Sequence, residues 1–374
     1  MSDDILPLET LERLSRRDGL DTRPILIRVL TDLFVQKADH SAEETARYEE
    51  LVLGLLDVVS VEARAAVARK LADDHRAPAA VIERLIADEA AVSAPILARF
   101  PDAPRHVLLA RVMDGGPVEA AAVASRRDLD ADLIRLLAHN RDELVLETLA
   151  ANLAARLGSG PLASLVERAR GAPALAAALL RREDLDAGAL AALYLHAGPT
   201  RRAEIREALA ARPARPLPAR ASRNAEPVEA AIAEAAVSEG KGHLIAEVLA
   251  EALRLRPDDA ARLATEPSGE PFVLMLRSIG VEPDLVTRAL LIAQPEIAPS
   301  VVRVFDLVEL AETTSRAVAH DILAALTGEA DRASAAPRHE PLFEQSGVME
   351  RAGAARPASQ RRPSARGADQ RQRG

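Results

Sequence analysis

RRDLDADLIRLLAH (Arg126–His139) and RREDLDAGALAALYLH (Arg181–His196) are two versions of one pattern. Each gives two arginines, an Asp-Leu-Asp-Ala turn, an apolar helical stretch and a histidine. Asp130 and Asp186 stand where a carboxylate can accept from the free N–H groups of a helix start. The helices that follow carry apolar triplets at i, i+3, i+4: Leu133, Leu136, Leu137 in one, and Leu190, Leu193, Tyr194 in the other. A weaker copy lies upstream at Ile82, Leu85 and Ile86. The units recur roughly every 50–57 residues, somewhat longer than the ~40–47 of HEAT repeats. Such a helix pair cannot bury its apolar stripe alone, so a neighbouring pair must complete the core. The spacing therefore predicts an all-α fold of HEAT-like, solenoid helical repeats. A further stripe, Val145, Leu149, Leu153 and Leu157, supplies a third helix to the middle unit.

Composition agrees. Of the 374 residues 48% are hydrophobic but only 2% aromatic, so the core is built largely of Ala, Leu and Val. Ala and Leu favour helices, whereas sheet cores favour β-branched and aromatic residues. Upstream, Pro24 opens a helix to Gln36, since a first-turn position needs no N–H. Ser41 and Glu44 form a capping box before the helical spacing of Tyr48, Leu51, Val52, Leu55 and Leu56.

Outward from the repeats the chain divides into five parts: an N-terminal segment (1–20), the helical-repeat region (21–211), a Pro/Arg-rich linker (212–227), a smaller C-terminal helical region (228–328) and a tail (329–374). Pro213, Pro216 and Pro218 exclude a regular helix from the linker. In the C-terminal region breaks are expected near Pro257, Pro267, Pro271, Pro283, Pro295 and Pro299. The tail is rich in Arg, Pro, Ser and Gly, with too few apolar anchors to offset the entropy of ordering, and is expected to be disordered.

VEARAAVARKLADDHRAPAAVIERLIADEAAVSAPILARF (Val61–Phe100) resembles the signature stretch of the bacterial DUF2336 family. The pieces that carry the likeness are the Arg-x-x-Val-Ala-x-x-Leu-Ala run at Arg64–Ala72, Ala77-Pro78, and Val92-Ser-Ala-Pro-Ile-Leu97. Leu30-Thr-Asp-Leu-Phe34 and the Phe272–Ile292 stretch fit as well, so the resemblance covers residues 20–328. It implies a helical-repeat scaffold and brings no catalytic residues.

The chain has no cysteine, which excludes disulfides, thiolate metal sites and cysteine nucleophiles. Met1–Thr10 is acidic and lacks the basic and apolar regions of a signal peptide. No apolar stretch approaches the ~20 residues of a membrane span. A cytoplasmic protein is expected, and the Ala/Arg/Pro bias points to a GC-rich bacterial genome. A net charge of −9 argues against a basic nucleic-acid-binding domain.

No motif points to a reaction. Gly240-Lys-Gly-His243 lacks the spacing and the hydroxyl of a phosphate-binding loop, and reads as an inter-helix loop. Asp73-Asp74-His75 lacks a second histidine at metal-binding spacing, and reads as a helix end with both aspartates solvated. His139 and His196 hold equivalent repeat positions, which suits capping of free carbonyls better than catalysis. Carboxylate pairs such as Glu43-Glu44 and Glu49-Glu50 belong to charged helix faces. No catalytic, metal or cofactor-binding residue is assigned, and no cofactor or enzyme activity is expected. Arg212, Arg215, Arg220 and Arg223 in the linker, with Arg361, Arg362 and Arg366 in the tail, are the candidate contacts to an anionic partner. The expected function is a non-catalytic protein–protein interaction scaffold or regulatory adaptor. The alternative is a nucleic-acid-associated repeat protein that uses the Arg-rich tail and linker.

Overall fold

The computed structural model describes residues 21–213, 225–237 and 242–328. Among the described residues every regular element is helical. The chain runs through α1 (Arg23–Gln36), α2 (Ala42–Leu56), α3 (Val61–Leu71), α4 (Ala79–Ile86), α5 (Ala90–Arg99), α6 (Arg105–Asp114), α7 (Pro117–Ala124) and α8 (Ala131–Ala138). It continues through α9 (Glu143–Ala151), α10 (Ser159–Ala169), α11 (Pro173–Leu180), a 3-10 helix (Ala187–His196) and α12 (Pro199–Ala210). The last seven helices are α13 (Glu226–Val237), α14 (Gly242–Leu253), α15 (Pro257–Ala264), α16 (Glu270–Ile279), α17 (Pro283–Ala293), α18 (Val301–Thr313) and α19 (Arg316–Thr327).

Consecutive helices alternate between two rows. In the inner row α1, α3, α5, α7, α9 and α11 each pack on the next. In the outer row α2 packs on α4, α6 on α8, α8 on α10, and α10 on the 3-10 helix. From α3 onward the inner-row helices begin at residues 61, 90, 117, 143 and 173, a step of 26 to 30 residues. The structural unit is therefore about half the 50–57 expected from the sequence pattern.

The physical reason lies in the loops. A short helix leaves its last four carbonyls without intrahelical partners. Here each inner-row helix end receives donors from a later unit. Arg76 donates to Val35, Lys37 and Ala38 at the end of α1. Arg126 donates to Leu97 and Phe100 at the end of α5, both at 3.0 Å. Arg182 donates to Ala150, Asn152 and Ala155 beyond α9 at 3.3, 2.8 and 2.7 Å. Each guanidinium is held by an aspartate two residues away: Asp74, Asp128 and Asp184. Between these arginines stands Asn152, whose side-chain amide donates to Ala124 and Arg126 at the end of α7. The eye-catching arginine thus returns at alternate units, and the sequence shows the doubled period.

The same economy of donors serves the other helix ends. Arg99 reaches Arg69 in the last turn of α3, and Arg168 reaches Asn140 and Arg141 after α8. Arg316 donates to Ile279 at the end of α16, and Arg277 to Thr314 after α18. Gly280 ends α16 at φ +92°, and a Cβ there would lie 2.9 Å from the Arg316 guanidinium carbon.

Several local expectations are met. Ser41 and Glu44 close a capping box, and Asp130 and Asp186 accept from Leu133 and Gly188. Pro257, Pro271 and Pro283 lie in first helical turns, where they start helices rather than break them. Other expectations change. Leu133 and Leu137 are buried, but Ile134 rather than Leu136 completes the face of α8. The Val145 stripe stops early, because Asn152 leaves the helix to reach α7; Val145 and Leu149 are buried while Leu153 is 70% exposed. Leu190, Leu193 and Tyr194 are fully buried, but on a 3-10 helix. Its greater rise per residue, ~2.0 Å, carries ten residues further than an α-helix would.

The 3-10 helix packs on α11 and α12 and also on α19, so the two helical regions meet. At this seam the Tyr194 hydroxyl donates to Glu270 at 2.7 Å, Arg206 donates to that hydroxyl, and Arg202 donates to Glu270 at 2.8 Å. Burial, and then the Glu270 carboxylate, push the Tyr194 phenol up. Beyond the seam α16 is the core: Phe272, Val273, Leu274, Met275 and Leu276 are fully buried.

Leu137→Ala is expected to lower stability by about 2–5 kcal/mol in urea unfolding, whereas Leu153→Ala should stay within about 0.5 kcal/mol of the parent. A pH dependence follows from Asp74. Its hydrogen bonds from Arg76 hold the carboxyl below its ordinary value of 3.8. A carboxyl lowered in the folded state stabilises the fold above the unfolded value and loses that contribution as pH falls through the folded value. The melting temperature should therefore hold down to about pH 4 and drop below it. Asp74→Asn should flatten that acid limb, read by thermal scans between pH 2 and 6.

Candidate functional site

Among the described residues α4 and α6 pack least on each other of the outer-row neighbours, with α6 and α8 only slightly closer. A groove of about 660 Å³ opens between α4 and α6. Its floor is apolar: Ile82 and Ile86 come from α4, Phe100 ends α5, and Val107 comes from α6. Ile82, Ile86 and Phe100 are also core residues, so the floor is fixed by the packing beneath it. The volume is that of a ligand or side-chain pocket, within the ~300–1,000 Å³ usual for such sites.

The rim is polar and exposed. It carries His75 from the turn before α4, Glu83 on α4, Asp102 before α6, and His106 and Asp114 on α6. Among the described residues none of the three carboxylates has an ion-pair partner. Arg111 also lines the groove, but its charge is already engaged. It donates to the Ile86 carbonyl at 2.8 Å and to Glu119 at 3.2 Å. Glu119 is buried and accepts also from Ser93 Oγ and the Gly116 N–H. The groove is thus greasy below and carries uncompensated negative charge above.

A second hollow of about 590 Å³ meets the first at His75. Of the charged residues that line it, Lys70 pairs with Asp32, Asp73 with Arg99 and Asp74 with Arg76. This corrects one expectation. Asp73 is exposed as expected, but Asp74 is buried, because Arg76 needs it while capping α1. Among the described residues no group of three or more histidine and acidic side chains is arranged to hold a metal ion.

The other sequence candidates fall in different places. His139 bonds the Arg135 carbonyl at 2.8 Å, and His196 the Arg170 carbonyl at 3.3 Å, so both meet helix-end carbonyls. Gly242 starts α14, and a Cβ there would lie 2.7 Å from the Ile292 carbonyl oxygen; Gly240 and Lys241 lie outside the described residues. Arg212 pairs with Asp186 at 2.8 Å, bracing the start of the 3-10 helix. Arg215, Arg220, Arg223, Arg361, Arg362 and Arg366 lie outside the described residues, as does the tail expected to be disordered. Among the described residues no helix is long and apolar enough to cross a membrane.

Residues 92–324 match the family described as "Uncharacterised protein conserved in bacteria" (DUF2336). The match takes in most of the stack and the C-terminal helices, and only the last part of the Val61–Phe100 stretch. No curated protein and no solved structure matches the chain.

Proposed function

This chain belongs to the DUF2336 family, and from that premise we propose that it is a non-catalytic interaction scaffold or adaptor whose α4/α6 groove receives a segment of a partner protein. The observation that carries the reading is this groove in the outer row. The loose packing of α4 on α6 leaves an apolar floor below an acidic rim. Apolar side chains of the partner would fill the floor, and flanking arginines or lysines would meet Glu83, Asp102 and Asp114. Opposite charge at a rim speeds encounter and selects partners more than it adds affinity. A cytoplasmic setting belongs to the same proposal. The competing reading, nucleic-acid binding through the linker and tail arginines, calls for contacts to phosphate and steep loss of binding with salt.

The test is a titration of the full chain with fluorescent amphipathic peptides of fixed apolar spacing and either Arg or Glu flanks. Arg-flanked peptides should bind at least about tenfold more tightly at low salt, a difference of about 1.4 kcal/mol. Ala110 lines the groove from α6; Ala110→Trp, which fills the groove, and Glu83→Lys, which reverses a rim charge, should each remove that preference. Equal binding of both peptides, or binding untouched by Ala110→Trp, would overturn the proposal. A labelled oligonucleotide in the same assay reports on the competing reading.

A further inference from the structure

Among the described residues the two rows end differently at α1 and α2. Helix α2 exposes no large apolar side chain; its longest exposed side chains are Glu43, Glu44, Arg47 and Glu50. Helix α1 is the reverse. Ile27, Thr31 and Phe34 face inward and are buried. The opposite face carries Ile25, Val29 and Leu33, which are 64%, 46% and 60% exposed. No other inner-row helix exposes more than one large apolar side chain. These three stand at i, i+4 and i+8, so they form one continuous stripe along the helix. Helices α3, α5, α7 and α9 each lie between two neighbours in the row, whereas among the described residues α1 has only α3. The end of a repeat stack needs a polar face toward water, and this stripe is apolar.

Two features of the stripe fit a second copy of the same chain. The first is register. Val29 lies four residues from Ile25 and four from Leu33, so the stripe reads the same in both directions. An antiparallel copy turned about a two-fold axis at Val29 sets Val29 on its twin and Ile25 against the second copy's Leu33. The second feature is charge. Arg28 and Asp32 stand one turn apart on one flank of the stripe. Arg28 is exposed, and among the described residues its side chain makes no ion pair or hydrogen bond. Lys70 takes one oxygen of Asp32, whose side chain stays 45% exposed. A two-fold axis across the helices keeps this flank on the same side in both copies and reverses its order. Each Arg28 thus comes alongside the second copy's Asp32, offset by two residues, ~3 Å of helix rise, which an arginine side chain spans.

We propose that two copies of this chain pair through α1, antiparallel about Val29, with their Ile25–Val29–Leu33 stripes in contact and Arg28–Asp32 ion pairs along one edge. Each α1 thereby gains the second inner-row neighbour that α3, α5, α7 and α9 already have. One helix face is smaller than the ~800 Å² per partner of a standard stable interface, so the pairing is a concentration-dependent equilibrium. It uses none of the residues that line the α4/α6 groove and goes beyond the role proposed for that groove.

Sedimentation equilibrium of the full chain across ~1–500 µM tests the pairing. The weight-average mass should rise from that of one chain toward that of two. Val29→Arg, at an exposed position, should hold the chain at the monomer mass with its helical circular dichroism unchanged. Arg28→Glu should weaken association about tenfold at low salt. Because the chain has no cysteine, oxidation reads the register. Val29→Cys alone should give a disulfide-linked dimer, as should Ile25→Cys combined with Leu33→Cys. Ile25→Cys alone and the remote, exposed Leu153→Cys should not. A chain that stays monomeric throughout, or whose self-association survives Val29→Arg, overturns the proposal. A dimer linked through Ile25→Cys alone overturns the antiparallel arrangement. The peptide titration above, repeated on Val29→Arg, should be unchanged, which separates failure here from failure of the groove.

Discussion

The fold depends on what happens to the carbonyls at the ends of its helices. Eight-residue helices such as α4, α7, α8 and α11 have as many terminal carbonyls as internal ones. Buried without donors, those groups would each destabilise the stack. The chain answers with long donors from the next units: Arg76, Arg126, Asn152 and Arg182 along the inner row, and Arg111 and Arg168 along the outer. A guanidinium is suited to this because its rigid fork can serve two or three carbonyls and an aspartate together. Each such side chain ties two units to one another, so the capping of one helix and the stacking of the next are the same interaction.

Aspartates complete the device. Asp128 and Asp184 carry carboxyls held below the ordinary range, first of all by the hydrogen bonds from Arg126 and Arg182. The pairing keeps the buried guanidinium from standing as an isolated charge, whose loss of hydration would otherwise be severe. The same device reaches the candidate groove: Arg111 of α6 donates to the Ile86 carbonyl at the end of α4 and pairs with Glu119, so a capping contact ties the two helices that flank it.

Much of the local structure was legible. Ser41, Glu44, Asp130 and Asp186 announce helix starts because capping needs particular side chains at particular offsets. The stripes of Leu133, Leu137 and Ile82 announce buried faces. The true repeat length was not legible, because Asn152 stands where a neighbour has arginine and conceals every second unit. Nor does the sequence show that Ala187–His196 winds as a 3-10 helix, since apolar residues three apart suit both windings. The composition carries a further signal: of 48 basic residues only Lys37, Lys70 and Lys241 are lysines, as expected where forked donors are needed. The groove has no signature at all, because it arises from two helices that pack loosely. The DUF2336 likeness is plainest in Val61–Phe100, whereas the family match is carried by residues 92–324.

The central claim is that a forked donor, and not merely a positive charge, holds adjacent units together. Arg182→Lys keeps the charge and most of the length but can reach fewer of Ala150, Asn152, Ala155 and Asp184 at once. Amide hydrogen exchange combined with urea unfolding of this variant is the most direct measurement. The account predicts a loss of about 2–5 kcal/mol, with faster exchange in α9 and α11 together. Parent-like stability, or exchange changed only at the substituted loop, would contradict it.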